Sequence, residues 1–586
     1  SVGQDLVEQL LVGLGWRVTG SHEGVATRSL VVTSCDPEGV KFVITSHKKL
    51  RLDLLATRAK AVEGPELKRP RCSSPEDPHG HFDAAQLERF AFCHSGRQGV
   101  AVLGFVVSRG GIASIRSKYA ELHPKLLCEG SPREYESATV LEVFAYYRGE
   151  KLETEADPGT ILRFVELTEA DAAFWVLPGV QRVDAQFDGA SQPAFCDHWV
   201  SNVFSRTGFL DTLNDTLGFT PKVDFNAGVV AAGEAQIEST VTGNSPPVVM
   251  ANKQSALRDQ SQVYLPINNA LSEVGHVHIF LKELGQGVQH IASRVEDLAA
   301  LIQNANDQRK MTGAGLSFLQ IPRSYYGYLT AKTLARSTGI ESSLAEECVV
   351  ALRKASVLDA RDVVDLDVSH ERLAAVLPAP APPALVEHVL RARYGNLYAL
   401  LGDHVSEETY LRIVRNNILV DIQGQDLLMQ IFTAKVLQRG EGEEAPFLEF
   451  IQRVCSDNCD AAGRPKPIKP GCGGFGIRNF LTLFLSIEVS KAAAARAEAE
   501  RTGDSRTASL EARRVDAFTA QLDESNPILT AISDAMTAEA SALESGDMAE
   551  SARWAAEKAK GQECLQAVSS KYKELMRRIR EQENQV

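Results

Sequence analysis

Four glycines crowd into six residues at Gly471-Cys472-Gly473-Gly474-Phe475-Gly476, and the apolar run Phe480, Leu481, Leu483, Phe484 and Ile487 follows at once. Glycine alone reaches positive φ without penalty, so the cluster predicts a sharply folded loop. The run after it has helical spacing, so the loop opens onto a lid helix. Just upstream, Pro446 to Val454 alternates as a strand, with Phe447, Glu449 and Ile451 on one face and Leu448, Phe450 and Gln452 on the other. Glu449 therefore points with apolar side chains, where a bare charge is costly unless it is protonated, paired or bound to a cation. A metal ion satisfies that demand.

His198 and His290 sit in short strand-like segments, Phe195 to Val203 and Gly287 to Ala292. With Glu449 they make two imidazoles and one carboxylate, the donor set of the facial triad that leaves positions open on Fe(II). Each of the three taken alone reads as well as a hydrogen-bonded core residue.

Several segments, taken in order, resemble 4-hydroxyphenylpyruvate dioxygenases. They are Asp197-His198, Gly287-Val288-Gln289-His290, Met429 to Thr433, Phe447 to Arg453 and Gly471 to Phe480, with Tyr264-Leu265-Pro266-Ile267-Asn268 and Arg323-Ser324-Tyr325-Tyr326 as further matches. The resemblance is faint in the N-terminal part and clear from His198 onward. It implies an α+β fold of two vicinal oxygen chelate domains built of βαβββ units, only the second holding metal. It also implies Fe(2+) on His198, His290 and Glu449, with an aromatic 2-oxo acid and O2 as substrates. The 2-oxo acid chelates the iron, and decarboxylation and ring hydroxylation give homogentisate and CO2, in tyrosine catabolism or quinone precursor synthesis. By the same resemblance Gln430 and Asn479 act in catalysis, and Asn268, Gln289, Gln430, Phe432, Phe447, Phe475, Asn479 and Phe480 contact substrate. Strict strand alternation turns Gln289 away from His290. Two other readings on the same scaffold are 4-hydroxymandelate synthase and a non-catalytic metal-binding homologue.

The chain departs from the family pattern where its Lys-Gly becomes Ile477-Arg478 and where a substrate-network glutamine becomes His276. The expected pocket serine falls on Pro246 in the ungapped register, beside Ser245, with Ser239 as another candidate. His276-Val277-His278 as a separate metal site is disfavoured, because residues two apart on a helix do not share a face. The glycine loop lacks a Walker lysine or dinucleotide fingerprint.

At 586 residues the chain exceeds one core. Its expected division is 1–175 as a metal-free domain, 176–490 as the iron domain with a helical insert over 332–394, and 491–586 as an Ala-rich amphipathic extension. That extension reads as a docking helix or a coiled partner, its basic end Arg577, Arg578 and Arg580 as a solvated face. A net charge of -14 speaks against nucleic acid, whose phosphates need a basic face. No stretch has the roughly 18 consecutive apolar residues of a membrane span. The ten cysteines show no framework spacing, so Cys455, Cys459 and Cys472 read as free thiols rather than a zinc cluster. His22, His47, His79, His81, His94 and His123 form no ligand pattern, which makes the N-terminal half scaffold. A homodimer in cytoplasm or plastid is the expectation. No signal-peptide pattern is visible, yet the chain begins at Ser1, so a removed leader stays open and the compartment undecided.

Overall fold

The computed structural model describes residues 2–48, 84–148, 155–168, 179–187, 191–244, 252–359, 362–378, 382–423, 426–434, 444–456, 468, 471–545 and 547–583. The segment Pro247 to Asn252, which reads as a strand, the Pro-, Lys-, Arg- and Ser-rich stretch Glu63 to Gly80, which reads as a loop, and Ser245, Pro246 and Cys459 lie wholly or mostly outside them.

The strands in order are β1 (Arg17–Glu23), β2 (Thr27–Thr33), β3 (Lys41–His47), β4 (Val102–Val107), β5 (Arg133–Glu134), β6 (Ala138–Tyr147), β7 (Ala156–Leu167) and β8 (Gln181–Arg182). There follow β9 (Ala194–Asn202), β10 (Thr220–Ala232), β11 (Ala235–Gly243), β12 (Tyr264–Ala270), β13 (Gly287–Val295), β14 (Leu419–Gln423), β15 (Asp426–Phe432) and β16 (Phe447–Val454). The last eight form one sheet in the order β10-β11-β12-β9-β13-β16-β15-β14.

That order contains the same unit twice. In the first, β9 leads through the helix Arg206–Leu217 to β10, β11 and β12, and β12 returns parallel to β9. In the second, β13 leads through the helix Leu298–Thr312 and an insertion to β14, β15 and β16, and β16 returns parallel to β13. The two opening strands pair antiparallel at the centre of the sheet. Paired βαβββ units are what the vicinal oxygen chelate fold requires.

The N-terminal half holds one such unit, β4 with the helix Gly111–Leu122 and β5 to β7, in the sheet order β4-β7-β6-β5. Its other sheet, β3-β2-β1-β8, is an antiparallel meander with a two-residue edge, not a second βαβββ unit among the described residues.

Hydrophobic clusters explain how the layers close. Leu298, Leu301 and Ile302 join Leu10, Leu14 and Trp16 from the N-terminus against Ile431, Leu448 and Phe450. Phe209 and Leu213 pack with Trp199, Leu265 and Ile267 against Leu141, Phe144 and Phe164 of the N-terminal sheet. The helices Ala331–Thr338, Ser342–Lys354, His370–Val376 and Pro383–Arg391 bury Leu334, Cys348, Leu352, Leu373 and Val389 together, so the insertion carries a core of its own.

The C-terminal region is three helices rather than a single amphipathic one. The lid helix runs without a break from Ile477 to Thr502, and Ser505–Ser545 and Met548–Glu583 follow. They dock on the β10–β11 hairpin: Phe518, Leu522, Tyr572, Met576 and Ile579 cover Ile237 and Val241. Gln521 clasps the turn by accepting from Gly233 N at 2.9 Å and donating to Ala231 O at 3.1 Å. Arg580 reaches Glu234 on the same turn at 2.9 Å, while Arg577 and Arg578 pair with Glu574 on their own helix. The basic end is thus partly a docking contact. Among the described residues no helix is long and apolar enough to cross a membrane.

His94 tests the scaffold reading of the N-terminal histidines. It stacks on Phe90 at 4.0 Å, and Gly287 leaves room for its ring. Burial pushes its pKa from 6.5 down to about 4. The unfolded chain then binds the proton more readily across that window, so stability falls as pH drops from 6.5 to about 4, by up to about 3 kcal/mol. Melting curves of His94→Phe should lose less on acidification than those of the native chain; an identical loss would show that His94 does not contribute.

Candidate metal centre

The three expected ligands converge from the central strands β9, β13 and β16. His198 Nε2 and His290 Nε2 lie 3.1 and 3.2 Å from the same Glu449 oxygen, Oε2. One donor atom from each residue can be chosen so that all lie within 4.8 Å of one another. All three are buried, Glu449 to 1% exposure. Burial works to raise the Glu449 carboxyl, but the His198 charge and hydrogen bonds from both histidines outweigh it and hold the pKa near 2. Burial also works against a charged His198, yet Glu449 and Asp197 raise it to about 9, whereas burial prevails at His290 and lowers it.

Each histidine is held by the residue before it. His198 Nδ1 bonds Asp197 Oδ1 at 2.8 Å, and His290 Nδ1 bonds Gln289 Oε1 at 3.0 Å. In a regular strand these neighbours would face opposite sides. Here the β9–β13 register skips Asp197 on one strand and Gln289 on the other, two bulges that turn both side chains of each pair the same way. The expectation that alternation turns Gln289 away from His290 is thereby corrected. With an oxygen acceptor at each Nδ1, that nitrogen carries a proton, and Nε2 is left facing Glu449, where it can exchange its own proton for a metal ion.

Gln430 Nε2 donates to the other Glu449 oxygen, Oε1, at 2.8 Å, and Asn479 Nδ2 donates to Gln430 Oε1 at 2.8 Å. Tyr325 closes the chain, its hydroxyl 3.2 Å from Asn479 Oδ1 while also bridging the backbone of Val420. Asp421 lies beneath the start of the lid helix and accepts the backbone N–H groups of Arg478 and Asn479, taking the place of a side-chain cap on Gly476.

Aromatic rings wall the centre. Phe447 stacks on His290 at 4.7 Å, Phe432 meets the same ring edge-on at 5.8 Å, and Phe475 meets His198 at 5.1 Å. Phe480 is half-buried and packs against the cluster shared by the hairpin and the tail. Asn268 lies in register with Ser239 on one side and Asn202 on the other. Asn268 Nδ2 donates to Asn202 Oδ1 at 3.2 Å, whereas Asn268 Oδ1, Asn202 Nδ2 and Ser239 Oγ are buried without partners. Of the serine candidates, Ser239 is the one this row contains.

His276 is engaged elsewhere, its Nδ1 3.4 Å from Glu488 on the lid helix, so His276 and His278 form no metal pair. Arg478, in place of the family's Lys-Gly, is buried with its guanidinium 4.8 Å over the Tyr325 ring.

The glycine loop is folded as its composition demands. Gly471, Gly473, Gly474 and Gly476 all have positive φ, between 55° and 81°. Cys455 at the end of β16 and Cys472 in the loop form a disulfide, with Cα atoms 5.5 Å apart. The free-thiol expectation fails for this pair, because the chain folds back over its own strand to bring together two cysteines 17 residues apart. Asn202, Tyr325 and the disulfide were not assigned to the site from sequence; a tyrosine and a thiol carry no pattern that announces such partners.

No family model matches the chain. It is similar to curated proteins named 4-hydroxyphenylpyruvate dioxygenase. The one from Plectranthus scutellarioides is 27% identical over 340 residues, 56% of this chain and 57% of that protein. The one from Hordeum vulgare is 39% identical over 107 residues, 18% of this chain and 22% of its own length. The longer match spans little more than half of that relative. A solved triple mutant of 4-hydroxymandelate synthase from Streptomyces coelicolor aligns with a TM-score of 0.45 at 14% identity, covering 83% of this chain and 95% of that one.

A Cβ built on Gly471 would meet the Tyr264 ring at 2.4 Å, at a φ of 74°. Gly471→Ala should therefore lower stability by roughly 1 to 3 kcal/mol and expose the loop to protease. An unchanged melting temperature and cleavage rate would contradict this packing.

Proposed function

We propose that this chain is an Fe(II)-dependent 4-hydroxyphenylpyruvate dioxygenase, forming homogentisate and CO2 from 4-hydroxyphenylpyruvate and O2. The observation that carries the reading is the convergence of His198 Nε2 and His290 Nε2 on one oxygen of a buried carboxylate. Two imidazoles and a carboxylate suit a divalent transition metal, and a facial set leaves room for a chelating substrate and O2.

Iron, when bound, supplies the chelation of a 2-oxo acid and the activation of O2. The protein's part is orientation and shielding. Asp197 and Gln289 fix the two rings, and Gln430 occupies Glu449 Oε1 so that Oε2 alone faces the histidines. Phe432, Phe447 and Phe475 suit an aromatic ring and keep water from a reactive oxidant. The unpartnered Asn268 Oδ1, Asn202 Nδ2 and Ser239 Oγ supply directional contacts for a polar substituent. Buried polar atoms without partners are costly, which favours a ligand that satisfies them.

Anaerobic loading with Fe(II), followed by admission of O2 and product analysis, tests the reading directly. Homogentisate is expected; 4-hydroxymandelate would assign the reaction to the benzylic carbon, and bound metal without O2 uptake would make the chain a binding protein. His290→Ala and Glu449→Ala should each lose both metal and turnover.

Gln289→Leu removes only the hydrogen bond behind His290, so Fe(II) affinity should fall about ten- to a hundredfold while the fold persists. Equilibrium dialysis against Fe(II) reads this out, and an unaltered affinity would mean that Gln289 plays no part in holding the ring.

A further inference from the structure

Arg453 lies on β16 four residues beyond Glu449, and its side chain is only 4% exposed. Its guanidinium does two things at once. Nε and Nη2 grip Asp197 Oδ2 and Oδ1 at 2.8 and 2.9 Å, the residue that holds His198. Nη1 donates to three carbonyls of the glycine loop, Gly471 at 3.4 Å, Cys472 at 2.8 Å and Gly474 at 2.7 Å. The same group sits 5.7 Å from the Phe475 ring, which in turn lies 5.1 Å from the His198 ring. Arg294 adds a second donor to Asp197 Oδ2 at 3.2 Å, so Asp197 keeps a charge partner even when Arg453 moves.

We propose that Arg453 is a positioning residue that couples occupation of the metal centre to closure of the glycine loop. The inference rests on the reading that His198, His290 and Glu449 hold a divalent metal. When a cation fixes the His198 ring, Asp197 is fixed behind it, and the planar fork of Arg453 is then aimed at the three loop carbonyls. When the loop lifts, Arg453 loses those acceptors and its grip on Asp197 slackens. Lysine lacks the fork and cannot serve both sides together. Coupling of this kind is reciprocal: whatever metal contributes to loop closure, loop closure returns to metal affinity.

The Cys455–Cys472 disulfide is a built-in reporter: Cys455 is 5% exposed and Cys472, on the loop itself, is half-buried, so reduction should quicken when the loop opens. A trialkylphosphine reduces it to two thiols, taking up an oxygen from water to become the phosphine oxide, and the freed thiols are counted by alkylation and peptide mass. Co(II) serves as the probe metal, its binding followed by visible absorption of the full chain. Bound Co(II) should slow reduction about tenfold, within the usual range of coupling between sites. In Arg453→Lys that protection should vanish and Co(II) affinity should weaken by a similar factor, with the melting temperature showing that the variant is folded. Equal reduction rates with and without bound Co(II) in the native chain would overturn the coupling, and this comparison decides even if the variant does not fold. Failure of the native chain to bind Co(II) at all would instead overturn the metal centre itself.

Discussion

A carboxylate buried to 1% exposure with two imidazole nitrogens on one of its oxygens is the constraint to which the rest of this fold answers. Its charge cannot be left bare in an apolar interior, and the surroundings are arranged around that fact. Gln430 occupies the free oxygen, Asn479 and Tyr325 hold Gln430, and Asp421 holds the helix start that carries Asn479. The chain of hydrogen bonds runs from Glu449 to the edge strand β14 and braces the carboxylate against the sheet.

Duplication supplies the symmetry and bulges supply the departure from it. Each βαβββ unit offers its first strand to the centre, and each of those strands carries one histidine. A bulge at the residue before each histidine recruits that residue as a support. The supports differ, an aspartate behind His198 and a glutamine behind His290. The aspartate needs Arg453 and Arg294 to neutralise it, which lowers its pKa well below the usual carboxylate range against the opposing effect of burial. That demand for cations draws the glycine loop into the same network, since Arg453 has donors left over for its carbonyls.

Much of this was legible in the chain because local rules act within a few residues. Alternation along β16 placed Glu449 with Phe447 and Ile451, and four glycines announced a loop that all four now fold at positive φ. The apolar spacing of Phe209, Leu210, Leu213 and Leu217 predicts a helix over Ser205 to Leu217, found as Arg206–Leu217, whereas the helix expected over Glu296 to Ala305 runs on as Leu298–Thr312. The hairpin of β10 and β11 went unassigned because no clean alternation marks its Ala- and Gly-containing strands. The pairing of Cys455 with Cys472 and the reversal of Gln289 depend on register and on chain reversal, which no single strand records.

By itself the sequence determined the candidate donor residues, the strand and helix periods and the glycine turn, because each follows from the chemistry of a residue and its near neighbours. Only the tertiary structure decided that His198, His290 and Glu449 meet at one oxygen. It also decided that Asp197 and Gln289 stand behind the histidines, that Arg453 joins strand to loop, and that the C-terminal helices seal the β10–β11 hairpin. Those contacts join residues up to about 346 positions apart, and they exist only once strand order, register and bulges have brought them together.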